Sequence, residues 1–170
     1  DLDMPNARFN AKVVKLEEFT ESGLSCIEFM ICTNVGEDEK PLSKIASGGE
    51  MARLMLAIKT VLADVDEVPV LIFDEVDTGI SGKAANMVGK KIKKISKNHQ
   101  VLIVTHLAPI AAKGDYNYFI YKEVELNKTK TKVKRLTEDE TINEIARIAS
   151  GEVTEVTRIH AKELRKTSVA

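Results

Sequence analysis

Two short apolar runs, Val70-Leu71-Ile72-Phe73 and Val101-Leu102-Ile103-Val104, flank a stretch from about Lys83 to Lys97 with helical periodicity. In that stretch Ala84, Val88, Ile92 and Ile95 recur on one side, opposite Lys90, Lys93, Lys94 and Lys97. Unbroken apolar runs are the pattern of strands buried on both faces, as in parallel sheets. Strand, helix, strand over about 35 residues predicts a βαβ unit with a right-handed crossover. Both strands should then end at the same edge of one sheet, which places the chain in the α/β class.

Around this unit, residues 7–16 and 24–33 read as two strands joined at Glu21-Ser22-Gly23. Val35 to Lys44 is a polar loop holding Pro41. A helix is expected from Gly49 to Ala63, with Met51, Leu54, Met55, Ile58 and Leu62 on its buried face. Residues 117–125 and 130–136 predict a hairpin turning at Asn127-Lys128, and residues 138–149 and 154–167 predict two helices broken at Gly151. At 170 residues the whole span 1–170 reads as a single domain. It begins at Asp1 rather than Met and so reads as a piece of a longer protein.

The classes excluded are few but clear. No apolar run approaches the roughly 20 residues of a membrane-spanning helix, and no membrane partner is expected. Aromatic residues are 5% of the chain, too few for a surface of stacked rings. Cys26 and Cys32 are not spaced as metal ligands and suit a reduced, cytoplasmic protein.

Val70–Phe73 is followed at once by Asp74 and Glu75. Open α/β sheets bind ligands at the carboxyl ends of their strands, and two acids there suit a cation and a reacting water. Asp74 is the candidate Mg2+ residue, acting through the ion's water shell. Glu75 is the candidate that polarises a water attacking a γ-phosphate. His106 follows Val101–Thr105 as Glu75 follows Val70–Asp74, so it should reach the same edge and hold that water.

Ser47-Gly48-Gly49-Glu50 opens the first predicted helix. Ser with Glu three residues on is a capping box. Two glycines in the first turn cost helix stability, and they make sense where something must approach the backbone closely, such as a phosphate at the helix N-terminus. Gly79-Ile80-Ser81-Gly82-Lys83-Ala84 imitates the end of a P-loop, but Asp77 stands where the first glycine belongs and Ala84 where the hydroxyl belongs. No other stretch supplies a P-loop.

Taken in order, these motifs resemble the head of an ABC-type ATPase. Ala46-Ser47-Gly48-Gly49-Glu50-Met51-Ala52-Arg53, Phe73-Asp74-Glu75-Val76-Asp77-Thr78-Gly79-Ile80-Ser81-Gly82 and Thr105-His106-Leu107 are similar to the RecN family of SMC-like ATPases. The likeness runs from Pro5 to His160-Ala161. It implies the C-terminal lobe of a head that binds and hydrolyses ATP in bacterial DNA double-strand-break repair. The P-loop lobe and a coiled coil would lie elsewhere in the polypeptide. Ser47, Gly48, Gly49 and Glu50 would meet ATP held by a second head of a homodimer. Asp74, Glu75 and His106 would serve the nucleotide of their own head, and Asp77 would contact it along the seam between heads. Ser81 stands where SMC-type heads often carry an aspartate. Two other readings are an ATP-gated dimerisation module without turnover and the C-terminal part of a transporter ATPase subunit.

Charge is divided along the chain: residues 1–82 hold 16 acids and 7 bases, and residues 83–170 hold 10 acids and 18 bases. Lys128, Lys130, Lys132 and Lys134 share one strand face and, with the lysines of the 83–97 helix, form a candidate DNA surface. Edge-strand protection and helix-end charge account for the same lysines without DNA.

Overall fold

A computed structural model describes the chain except residues 1, 3, 5, 46, 64, 66, 126, 127 and 167–170. Pro5, Ala46 and Asn127 of the motifs and turn above therefore lie outside the described residues. The centre is the predicted βαβ unit: β4 (Val70–Phe73), α2 (Gly82–Ile95) and β5 (Gln100–Ile103), with β4 and β5 parallel. Leu71 and Phe73 pack into one core with Val88 and Ile95 of α2 and Leu56 of the preceding helix. That helix, α1 (Gly48–Leu62), shares this core with α2.

Two antiparallel hairpins accompany the unit. β1 (Arg8–Thr20) pairs with β2 (Gly23–Cys32), and β6 (Tyr118–Glu125) with β7 (Lys128–Arg135). The expected loop over Val35–Lys44 contains a two-residue strand, β3 (Lys40–Pro41), and one 3-10 turn, Leu42–Lys44. A short helix, α3 (Ala108–Ala111), follows β5, and α4 (Glu138–Ser150) and α5 (Glu155–Lys166) pack on it through Ala111, Ile145, Ala146 and Ala161.

Three expectations need correction. First, the buried side of α1 carries Gly49, Arg53, Leu56 and Thr60, with Leu54 buried beside them. Met51, Met55, Ile58 and Leu62 lie about half a helical turn away, and Met55 and Leu62 are exposed. Hydropathy favours the wrong side because the core side holds a glycine, an arginine and a threonine. Second, β4 is covered on one face only. Leu71 is 7% exposed and Phe73 6%, while Ile72 is 71% exposed and Leu102 and Val104 also face outward. The four-residue apolar runs are suited to two covers, and the described residues supply one. Third, Val70 pairs with Gln100 and Phe73 with Ile103, so β5 sits one residue earlier than the alignment of the two apolar runs implies.

Candidate functional site: the carboxyl end of the parallel strands

Where β4 ends, the chain turns through Asp74 to Gly79 before α2 begins. Asp74 Oδ1 accepts the Glu75 backbone N–H at 3.0 Å, and the Thr78 N–H closes the turn by donating to the Glu75 carbonyl at 3.0 Å. Glu75 has φ of +57°, the only positive value for a non-glycine among the described residues. A side chain in that region costs about 1–2 kcal/mol, and such strain concentrates at functional loops. Both carboxylates are exposed. Each is thus free to meet a cation or a water.

Glu75 turns toward the start of α1, where a methyl group on Gly48 would overlap its carboxylate. Gly49 is equally crowded: a Cβ there would lie 2.9 Å from the Thr78 carbonyl oxygen and 3.1 Å from Thr78 Cβ. Gly49 is therefore required by this chain's own 74–79 turn, whereas at Gly48 only the movable end of the Glu75 side chain stands in the way. Arg53, one helical turn on and buried, donates from Nη1 to the same Thr78 oxygen at 2.7 Å. Ser47 caps α1 by accepting the Glu50 N–H at 3.4 Å. A full reciprocal capping box forms at Thr137 and Glu140 of α4.

Asp77 is buried on the same turn. Its side chain is 2% exposed, and Oδ2 accepts Thr105 Oγ1–H at 2.6 Å and the His106 N–H at 2.9 Å. The same oxygen lies 3.3 Å from His106 Nδ1. Thr105 Oγ1 in turn accepts the Leu107 N–H at 3.1 Å. His106 itself stays 70% exposed. A buried carboxylate needs donors for its lone pairs, and here they come from the residues that place the imidazole. The acid turn and the His106 segment are thereby one hydrogen-bonded assembly.

Arg53 and Thr105 were missed by sequence reasoning. Arg53 lies four residues after Gly49, on the side of α1 that hydropathy misassigns. Thr105 gave no signal beyond adjoining His106. As for a metal, no group of three or more His, Cys, Asp or Glu able to hold one occurs among the described residues.

No family model matches the chain. It is 48% identical to the DNA repair protein RecN of Bacillus subtilis over 150 residues, 88% of this chain and 26% of that protein. It is 44% identical to the RecN of Deinococcus radiodurans over 164 residues, 96% of this chain and 29% of that protein. The chain thus spans less than a third of the length of these relatives. Among solved structures, an Smc head domain with a coiled coil and joint from Pyrococcus yayanosii superposes with a TM-score of 0.58 at 20% identity, covering 86% of this chain and 27% of that one. The Smc head of Pyrococcus furiosus bound to the C-terminal domain of ScpA gives 0.53 at 22% identity, covering 86% and 35%. Over the segment it spans, the chain belongs to the RecN family and has the fold of a lobe of an SMC-like ATPase head.

Proposed function

We propose that this chain is the C-terminal lobe of a head that binds and hydrolyses ATP in the repair of DNA double-strand breaks. The observation that carries the reading is the union of acids and imidazole. Asp74 and Glu75 leave β4 on a turn whose Asp77 holds the His106 segment at the end of β5. In this reading Asp74 holds Mg2+ through water, and Glu75 polarises the attacking water. His106 orients that water and the terminal phosphate. Ser47, Gly48, Gly49 and Glu50 present the positive end of α1 to ATP bound by a second head. Asp77 serves the nucleotide indirectly, through His106.

The phosphate cradle is assigned to a P-loop lobe elsewhere in the polypeptide, beyond a coiled coil. The bare face of β4 and β5 supports that assignment. Ile72, Leu102 and Val104 are exposed on a two-stranded parallel sheet, an arrangement that globular proteins normally cover and extend. Among the described residues no helix is long and apolar enough to cross a membrane. DNA is the expected partner of the whole protein, at the bacterial nucleoid, since its relatives are DNA repair proteins.

The test is Glu75→Gln in the protein of natural length. Turnover should fall by about 100-fold or more while ATP-dependent association of heads persists. Equal phosphate release by both forms would leave a dimerisation module in place of an enzyme. The 170-residue chain by itself, with no P-loop, should show no Glu75-dependent turnover.

A further inference from the structure

Two charged side chains are buried beside the candidate site, and only one of them is matched. Asp77 has its donors in Thr105 and His106. Arg53, 7% exposed, makes a single hydrogen bond among the described residues, from Nη1 to the Thr78 carbonyl, and its buried Nε meets no acceptor. No carboxylate of the described residues pairs with it, whereas Arg147, Arg158 and Arg165 engage Glu144, Asp139 and Glu138. A buried charge without a counter-charge is costly, and a neutral donor would serve the Thr78 carbonyl as well. The charge itself needs a use.

Its position supplies one. The guanidinium lies under the first turn of α1, where Nη1 would stand 3.3 Å from a Cβ on Gly49. In that turn Ser47 Oγ takes the Glu50 N–H and the Ser47 carbonyl takes the Met51 N–H. The N–H groups of Gly48 and Gly49 have no partner among the described residues and point to an outside acceptor. An oxyanion already rests at this end, the Glu75 carboxylate against Gly48, and Glu50 adds a second negative charge to the turn. A phosphate arriving here meets two carboxylates, and the helix end alone offers only about half a positive charge.

We propose that Arg53 is a positioning residue of the ATP site between heads: its unmatched charge beneath Gly49 draws the terminal phosphate of ATP held by a second head onto the start of α1, in place of the Glu75 carboxylate. The role rests on the ATPase-head reading above, and it accounts for an anion site that persists beside Glu50 and Glu75. Arg53 does not touch the phosphate. It acts by Coulomb attraction across the packed first turn, where the effective dielectric constant is about 20 rather than that of water. The Thr78 carbonyl needs only a donor, so stability should follow the donor and phosphate capture should follow the charge.

ATP-dependent association of heads in the protein of natural length, measured by analytical ultracentrifugation, separates the two. The unaltered protein is compared with Arg53→Gln, Arg53→Met and Arg53→Lys, each with its urea unfolding curve. The neutral Arg53→Gln and Arg53→Met should weaken association about 10-fold or more, and Arg53→Lys should stay within about twofold of the unaltered protein. Arg53→Gln, which keeps a donor for Thr78, should nevertheless be more stable than Arg53→Met. Either neutral variant suffices if the other does not fold. Unchanged association in a folded neutral variant overturns the role given to Arg53, and so does an equal loss in Arg53→Lys, because shape rather than charge would then be decisive. An unaltered protein that does not associate with ATP would instead overturn the ATPase-head reading, and the role of Arg53 with it.

Discussion

Asp77 and His106 are joined through a single oxygen: Asp77 Oδ2 accepts the His106 backbone N–H at 2.9 Å and lies 3.3 Å from its Nδ1. The contact makes a buried acid in one turn responsible for where an exposed imidazole stands in another. Asp77→Ala leaves Thr105 Oγ1 and the His106 N–H without their acceptor. If His106 orients the water and phosphate, kcat should fall at least tenfold with KM for ATP little changed. Thr105→Val, which loses one bond to the same oxygen and the bond to Leu107, should lie between Asp77→Ala and the unaltered protein. Steady-state kinetics in the protein of natural length decides it. Unaltered kcat in Asp77→Ala would confine Asp77 to a structural part.

The two glycines of α1 should respond differently to the same change. Gly48→Ala meets only the far end of the Glu75 side chain, which can swing away, so thermal stability should hold while turnover drops. Gly49→Ala meets the Thr78 backbone oxygen at 2.9 Å and must displace the 74–79 turn. A loss of about 1–3 kcal/mol is expected from that overpacking. Urea unfolding of the two variants side by side tests the contrast, and equal stability would contradict the close approach of α1 to the turn.

Arg53 offers a related measurement. Arg53→Met keeps the buried stem but removes the 2.7 Å bond to Thr78, leaving a carbonyl without its charged donor. Stability should decrease by about 2 kcal/mol. If Arg53 couples α1 to the turn, kcat should decline together with it under conditions where the protein stays folded.

What the sequence made legible was whatever rests on contacts within one element or between neighbours. The parallel βαβ unit, both hairpins, α2 with its buried stripe and the α4–α5 pair all follow from periodicity and turn residues. The burial of α1 was not legible. Its core side is set by Gly49 against Thr78 and by Arg53, contacts across 25 or more positions that hydropathy does not register. The one-sided sheet misled for another reason: Ile72 and Leu102 are apolar as though covered, and the described chain holds only one cover. At the site, Asp74, Glu75 and His106 could be named from their places after the strands. That Asp77 is buried and serves His106 depends on two hydrogen bonds that no spacing reveals.

His99 shows the same limit and yields its own expectation. The ring is buried, with Nδ1 2.7 Å from the Val68 carbonyl oxygen and Nε2 3.3 Å from that of Ala63. It therefore pins the end of α1 to the segment entering β4. His99→Phe preserves the volume but removes the ring N–H available to these buried carbonyls, and unfolding free energy should drop by about 1–3 kcal/mol. Turnover at low temperature should be unchanged, because His99 lies at the opposite end of the strands from the acids.

Glu140 supplies the pH dependence. Its carboxyl is lowered from the usual 4.5 to about 2, first by Lys134 and then by the Thr137 backbone N–H. A carboxylate held below its unfolded value stabilises the fold above that value, and the contribution disappears as pH falls through the folded one. The difference in stability between the unaltered chain and Glu140→Gln should therefore be constant above about pH 5 and shrink between about pH 4.5 and pH 2. Glu140 is exposed, so added salt should narrow the difference at neutral pH by screening Lys134. Adding Thr137→Ala to the Glu140→Gln variant separates the cap from the ion pair, since it removes the remaining half of the capping box. A stability difference that stayed flat down to pH 2 would mean that packing on α3 and α5 alone holds the start of α4, with no contribution from the carboxylate.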